Sequence, residues 1–276
     1  MNTIKSISAF VLFLALTALS TSCSDDTDSV IPEPDFSVVE DEFVINAAFE
    51  DLDFLLLDVI QSSGLGLRTT RTADLCSEAN VTHNTASKTI VVDFGASGCT
   101  SPNGVLRKGK ITLVYTSNNF LFPGASISTT FEGYEVEGIR IDGTRTLTNS
   151  GIDLINTRVT LAVKVTNGRI TWPDNSFVTY SSDQTRTVSL GSGGYEASVN
   201  GTASGTSRKN RAYTATVSKP LIIKESCVNE GNYFPSSGEI AFSYENIIMS
   251  VDYGLGECDR VVVITYPGGV KELTLD

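Results

Sequence analysis

The chain has 276 residues, with 20 basic against 32 acidic side chains and a single histidine. That balance, with no large cluster of Lys and Arg, argues against binding nucleic acid through its phosphates, and one histidine excludes metal sites built from two or three imidazoles. Lys5 is followed by a mostly apolar run from Ile7 to Leu19, then by Ser20, Thr21, Ser22 and Cys23. The run is shorter than the ~20 residues needed to span a bilayer as a helix and suits the core of a secretion signal. Residues 1–22 are therefore expected to be removed. This leaves 254 residues and, with Lys5 gone, 19 basic against 32 acidic, a net charge of −13. Residues 23–37, with Asp25, Asp26, Asp28, Pro32 and Pro34, read as an extended acidic tether too poor in apolar residues to pack.

Residues 38–276 form the body. One segment, about 41–63, reads as a helix: it lacks Gly and Pro, and Val44, Ala47, Ala48, Leu52, Leu55, Leu56, Val59 and Ile60 recur at spacings of three and four. Gly64 and Gly66 are the stop signals. Its predicted role is to pack over a sheet or to plug an open β groove. After about residue 70 the chain reads as short strands separated by turns. The fold class is mainly β with one N-terminal amphipathic helix, arranged as an antiparallel sandwich, a long curved sheet or a partly open barrel. Strands are predicted at Tyr134–Ile141, Thr144–Thr148, Val159–Thr166 and Arg169–Trp172, among others, the last two joined by a hairpin at Asn167-Gly168. Arg107–Lys110 and Arg208–Arg211 read as solvated turns.

A repeat stands out. Val92-Asp93-Phe94-Gly95 precedes Cys99, and Val251-Asp252-Tyr253-Gly254 precedes Cys258, each Asp six residues before its cysteine. Cys76 and Cys227 lie upstream. Four cysteines allow three connectivities. The duplicated spacing, near 76–116 and 227–266, favours Cys76–Cys99 and Cys227–Cys258, as expected in an oxidising compartment.

No catalytic residue, metal ligand or cofactor is assigned. His83 sits in a polar stretch, here read as a loop, without an evident acid partner. Asp93 and Asp252 are the best carboxylate pair for a glycan hydrolase, yet Asp at a strand end more simply caps backbone amides. Among the aromatics, Trp172, Tyr180 and Tyr134 are the candidate ligand-binding rings, with Tyr195 and Phe177 nearby.

Leu19-Ser20-Thr21-Ser22-Cys23 resembles a bacterial lipobox, with Leu19 one place earlier than usual. The resemblance implies acyl chains on Cys23 and attachment to a membrane. Ser24-Asp25-Asp26-Thr27-Asp28 is similar to the export signal of surface lipoproteins in Bacteroidetes-type bacteria, and Asp28-Ser29-Val30 looks like the O-glycosylation site of that group, at Ser29. The body resembles a set of Bacteroidetes lipoproteins through Val92 to Cys99, Gly109-Lys110-Ile111 and Asp252 to Asp259. That resemblance implies an outer-membrane, surface-displayed location and brings no activity with it. The expected function is a non-enzymatic binding or structural lipoprotein, with a glycan or an envelope protein as partner and the membrane reached through Cys23. The alternatives are a carboxylate-dependent glycan hydrolase and a periplasm-facing carrier of hydrophobic ligands.

Overall fold

The computed structural model describes residues 34–66, 74–191 and 194–275. Helix α1 spans Ser37–Ser62. It is followed by β1 (Asn80–Asn84), β2 (Thr89–Asp93), β3 (Cys99–Thr100), β4 (Leu106–Tyr115), β5 (Ser126–Val136), β6 (Ile139–Asp153), β7 (Arg158–Thr171), β8 (Phe177–Gly191), β9 (Gly194–Thr206) and β10 (Ala212–Lys224). A short α2 (Glu225–Asn229) leads to β11 (Ser237–Tyr244), β12 (Ile247–Leu255), β13 (Val261–Tyr266) and β14 (Gly269–Thr274). Among the described residues these fourteen strands form one antiparallel meander in chain order, with β3 a side branch on β4. Of the arrangements open from the sequence, it is a single curled sheet. No pairing joins β1 to β14, so the curl stays open.

Glycine-centred bulges accompany the curl. The register shifts at Lys108/Lys110 between β4 and β5, at Asp142/Thr144 between β6 and β7, and at Val165/Gly168 between β7 and β8. An extra residue in one strand bends it and increases its twist. Asn167-Gly168 is one such bulge within the continuous strand β7, and not the predicted hairpin; Asn167 has φ 52°. Gly143 on β6 faces it: a Cβ there would lie 2.7 Å from the Asn167 carbonyl oxygen. The turn that sequence reasoning missed is Glu137-Gly138, between β5 and β6, with φ 50° and 79°. Arg107–Lys110 is part of β4, with Arg107 buried, whereas Arg208–Arg211 does lie at the β9–β10 turn.

The trough of the sheet holds α1. Glu40 and Ser62 are its only exposed residues, and Val38, Val39, Ile45, Leu52, Leu55, Leu56, Val59 and Ile60 are wholly buried. The helix therefore plugs the groove, the sharper of the two predicted roles. It begins four residues earlier than predicted. Phe36, assigned by sequence to the tether, packs edge-on against Tyr266, and Asp35 accepts a hydrogen bond from the Ser37 amide at 3.1 Å.

Two ends of the meander are distinct. The helix N-terminus lies with the β7–β8, β9–β10, β11–β12 and β13–β14 turns: Lys209 Nζ is 2.9 Å from Asp35, and the Tyr244 hydroxyl donates to the Asp35 carbonyl. Its C-terminus lies with the opposite turns, where the Phe120 amide donates to the Leu65 carbonyl and Phe54 meets Tyr195. The disulfides are Cys76–Cys99 and Cys227–Cys258, the pairing that the repeat favoured. The repeat is structural: Asp93 and Asp252 each pair across a hairpin with a residue thirteen positions earlier, Asn80 and Glu239. Asp93 Oδ1 accepts the Gly95 amide at 2.9 Å, and Asp252 Oδ1 the Gly254 amide at 2.8 Å. The register places the two copies at opposite ends of the sheet, so each disulfide staples a different end.

Candidate functional site: an apolar cleft at the open seam

The helix is held by charge as well as by apolar packing. Arg107 on β4, Arg145 on β6 and Arg186 on β8 all point inward and are buried. Arg107 Nε donates to Asp51 at 3.1 Å and its guanidinium also reaches Asp74. Arg145 forks onto Asp53 at 2.8 and 2.6 Å, and Arg186 reaches Asp53 at 3.0 Å and Glu50 at 2.6 Å. Burial works against the charges on Arg107 and Arg186, but their carboxylate partners outweigh it and hold both above the ordinary arginine value. Nearer the helix N-terminus, Asp41 takes Arg208 Nε at 2.6 Å, and that guanidinium lies 4.4 Å from the centre of the Trp172 ring.

Glu42 is held differently, by tyrosine hydroxyls. It is buried among tyrosines, accepting from the Tyr213 hydroxyl at 2.7 Å and the Tyr180 hydroxyl at 3.3 Å. Burial pushes its carboxyl up to about 7, although the tyrosine hydroxyls oppose the rise. Burial likewise raises Tyr180, Tyr213 and Tyr253, with the Glu42 carboxylate adding to it.

The structure separates the sequence-predicted candidates. Tyr180 is a core residue beneath Glu42, and Tyr134 is a core residue stacked on Phe131, so neither ring is open to a ligand. The apolar alternation of β5 and β8 turns both inward, a parity that a ring's identity does not reveal. Tyr195 packs on Phe54, while Phe177 is exposed beneath the Arg169 guanidinium. Trp172 lines an open polar groove of about 680 Å³ together with Glu135, Arg140, Asp142 and Arg169. Asp93 and Asp252, at opposite ends of the sheet, are not brought together. His83 lies on the edge strand β1 instead of in a loop, its Nε2 2.8 Å from the Tyr115 hydroxyl. Cys76, Glu78 and Cys99 cluster, but both sulfurs are in the disulfide and offer no thiolate to a metal. Cys23 and Ser29 lie outside the described residues. Among the described residues no helix is long and apolar enough to cross a membrane.

The feature that sequence reasoning missed is at the seam. Where β14 and the loop after α2 come round to face the β5–β6 turn across the helix, a cleft of about 570 Å³ remains. Phe43, Val44, Ala47 and Ala48 of α1 form its floor. Val105, Val136 and Ile139 line one side, and Tyr233, Phe234, Leu273 and Leu275 the other. Glu40, Asp51 and Glu137 stand among these apolar residues. The helix side of the cleft sets the small Ala47 and Ala48 beside Phe43 and Val44, a pattern that does not by itself announce a cleft in the sequence. Comparison with known proteins yields no matching family model, curated protein or solved structure.

Proposed function

We propose that this chain is a lipid-anchored outer-membrane lipoprotein displayed at the cell surface, whose body is a non-enzymatic binding protein for a small apolar ligand. The secretion-signal pattern before Cys23 and the acidic stretch after it support the anchor and the location. The observation that carries the binding reading is the seam cleft. Its volume falls within the roughly 300–1,000 Å³ of small-molecule sites, and such sites are mostly apolar with a few polar groups. An acyl chain or a flat hydrocarbon ring system suits the lining. Because α1 fills the trough, the ligand would sit beside the helix and not in a lumen beneath it.

Titration with an environment-sensitive fluorescent fatty acid tests the ligand class. Saturable binding is expected, and Ala47→Trp, which fills the floor, should abolish it while leaving thermal unfolding nearly unchanged. Binding that survives Ala47→Trp would sink the reading. The anchor is tested separately with a metabolic acyl label and protease shaving of intact cells: label and shaving are expected in the native chain, and label is lost in Cys23→Ala.

A second reading rests on the Trp172 groove. An aromatic ring among Arg140, Asp142 and Arg169 offers stacking and hydrogen bonds to a glycan, and Trp172→Ala should then reduce retention on immobilised polysaccharide.

A further inference from the structure

The two ends of the meander differ in chemistry. At the helix N-terminal end the turn tips are polar: Glu137-Gly138, Pro173-Asp174-Asn175, Arg208-Lys209-Asn210, Glu245-Asn246 and Pro267-Gly268; the exposed apolar residues there, Phe177, Ile248 and Val270, stand on the strands beside the tips. At the opposite end, large apolar side chains stand in water. Phe122 in the β4–β5 turn is 61 % exposed, Leu154 and Ile155 in the β6–β7 turn 83 % and 93 %, Leu190 at the end of β8 56 %, and Leu255 at the end of β12 102 %. Exposed apolar residues on strands are ordinary; Leu154, Ile155 and Leu255, each more than four-fifths exposed at or beside a hairpin tip, have no counterpart at the other end.

These tips also satisfy their own backbone. Asn119 Oδ1 accepts the Leu121 amide at 2.9 Å. Asp153 Oδ1 accepts the amides of Ile155 and Asn156 at 3.0 and 3.1 Å. Asp252 Oδ1 holds the Gly254 amide, and the Leu190 amide donates to the Thr157 carbonyl. An amide moved out of water without a partner is costly. Here several tip donors carry their partners with them.

We propose that this end of the body inserts its hairpin tips into a lipid surface. The choice of lipid over protein follows from the arrangement. The apolar side chains sit on separate turns with polar residues between, so a rigid partner would need a matched pocket for each, whereas the edge of a bilayer admits them independently. The flanking residues include Asp153 and Glu257 and no basic cluster, so contact is by apolar insertion into a neutral surface and not by attraction to anionic headgroups. The reading is compatible with the anchor proposed above. Twelve residues lie between Cys23 and Phe36, and the thirteen steps have a contour length of about 45 Å, against about 39 Å for the 26-residue α1. That contour length is enough for the acyl chains and the tips to share one membrane.

The test uses an unacylated chain beginning at Ser24, which keeps every described contact, floated with phosphatidylcholine vesicles at low and high salt. The chain should float with the vesicles at both. Leu154→Ser with Ile155→Ser should lower the bound fraction roughly tenfold or more, and Lys209→Ser at the polar end should not. Both changes lie on exposed turns, and unchanged melting curves would verify the fold. A native chain that fails to float, or one whose flotation survives the tip substitutions, overturns the proposal. So does a dimer in sedimentation equilibrium that the tip substitutions dissolve without any vesicle binding, which would make a second copy the occupant.

Discussion

Arg145 on β6 and Asp53 on α1, 92 residues apart in the chain, meet inside the trough in a two-bond fork of 2.8 and 2.6 Å. Arg186 shares the same carboxylate from β8. One helical acid thus ties together two strands that are not neighbours in the sheet. Asp53→Ala leaves the buried Arg145 without this carboxylate partner and should cost about 3–5 kcal/mol, read as a lower urea midpoint. Asp53→Leu combined with Arg145→Met should recover most of that loss, because Arg186 keeps Glu50. A double variant as unstable as the single one would show that the ion pair itself, and not the orphaned charge, sets the cost.

Glu42 makes stability depend on pH in a defined direction. Burial pushes its carboxyl up to about 7 in the folded chain, above the ordinary glutamate value of about 4.5. Below about 4.5 both states are protonated and the contribution is complete. Between about 4.5 and 7 only the unfolded chain ionises, so stability falls; above 7 the loss levels off, at about 3 kcal/mol. Glu42→Gln should remove this component. The difference between the two unfolding curves across that window is the measurement, and a constant difference would contradict the assignment.

The two disulfides close loops with sequence separations of 23 and 31 residues at opposite ends of the sheet. Replacing either cysteine pair by serine should cost roughly 3–4 kcal/mol in the chain-entropy model. The ends should also loosen independently: amide exchange is expected to rise around β2–β4 in one variant and around β11–β13 in the other.

Gly168→Ala tests the bulge. A Cβ there meets the Tyr180 carbonyl oxygen at 2.6 Å, and backbone cannot swing aside as a side chain can. A loss of about 1–3 kcal/mol is expected, visible as a lower melting temperature. The exposed Gly104, where a Cβ meets nothing within 4 Å, also has a positive φ of 88°. Gly104→Asn, a residue that tolerates such φ, should cost much less.

Much of the architecture was legible before any coordinates. The apolar spacing of Val44 to Ile60 marks the helix, and the twice-used Val-Asp-aromatic-Gly-to-Cys spacing pairs the cysteines. The first signal is local and the second is duplicated, so neither needs a distant partner to be read. What stayed hidden depends on distant residues. Asn167-Gly168 supplies a positive φ, which a hairpin and a bulge use alike, and only the partner strand β6 decides between them. Glu137 adopts φ 50° although glutamate carries no turn preference. Arg107 read as part of a solvated turn because its partner Asp51 lies 56 residues away. The seam cleft is a space left between α1 and the edges of a sheet, which no one segment encodes.

The plug also sets the order of events in folding. The Tyr244 hydroxyl meets the Asp35 carbonyl across 209 residues, and Phe36 meets Tyr266 at the end of β13, the last strand but one. Of the described elements, the one at the centre is synthesised first and enclosed last. Until β10 to β13 arrive, Phe43, Phe49 and the leucines of α1 have only part of their cover, and a chain whose contacts are this distant in sequence folds slowly. An emerging chain of this kind needs its hydrophobic helix shielded from neighbouring chains for the whole time that the sheet takes to close around it.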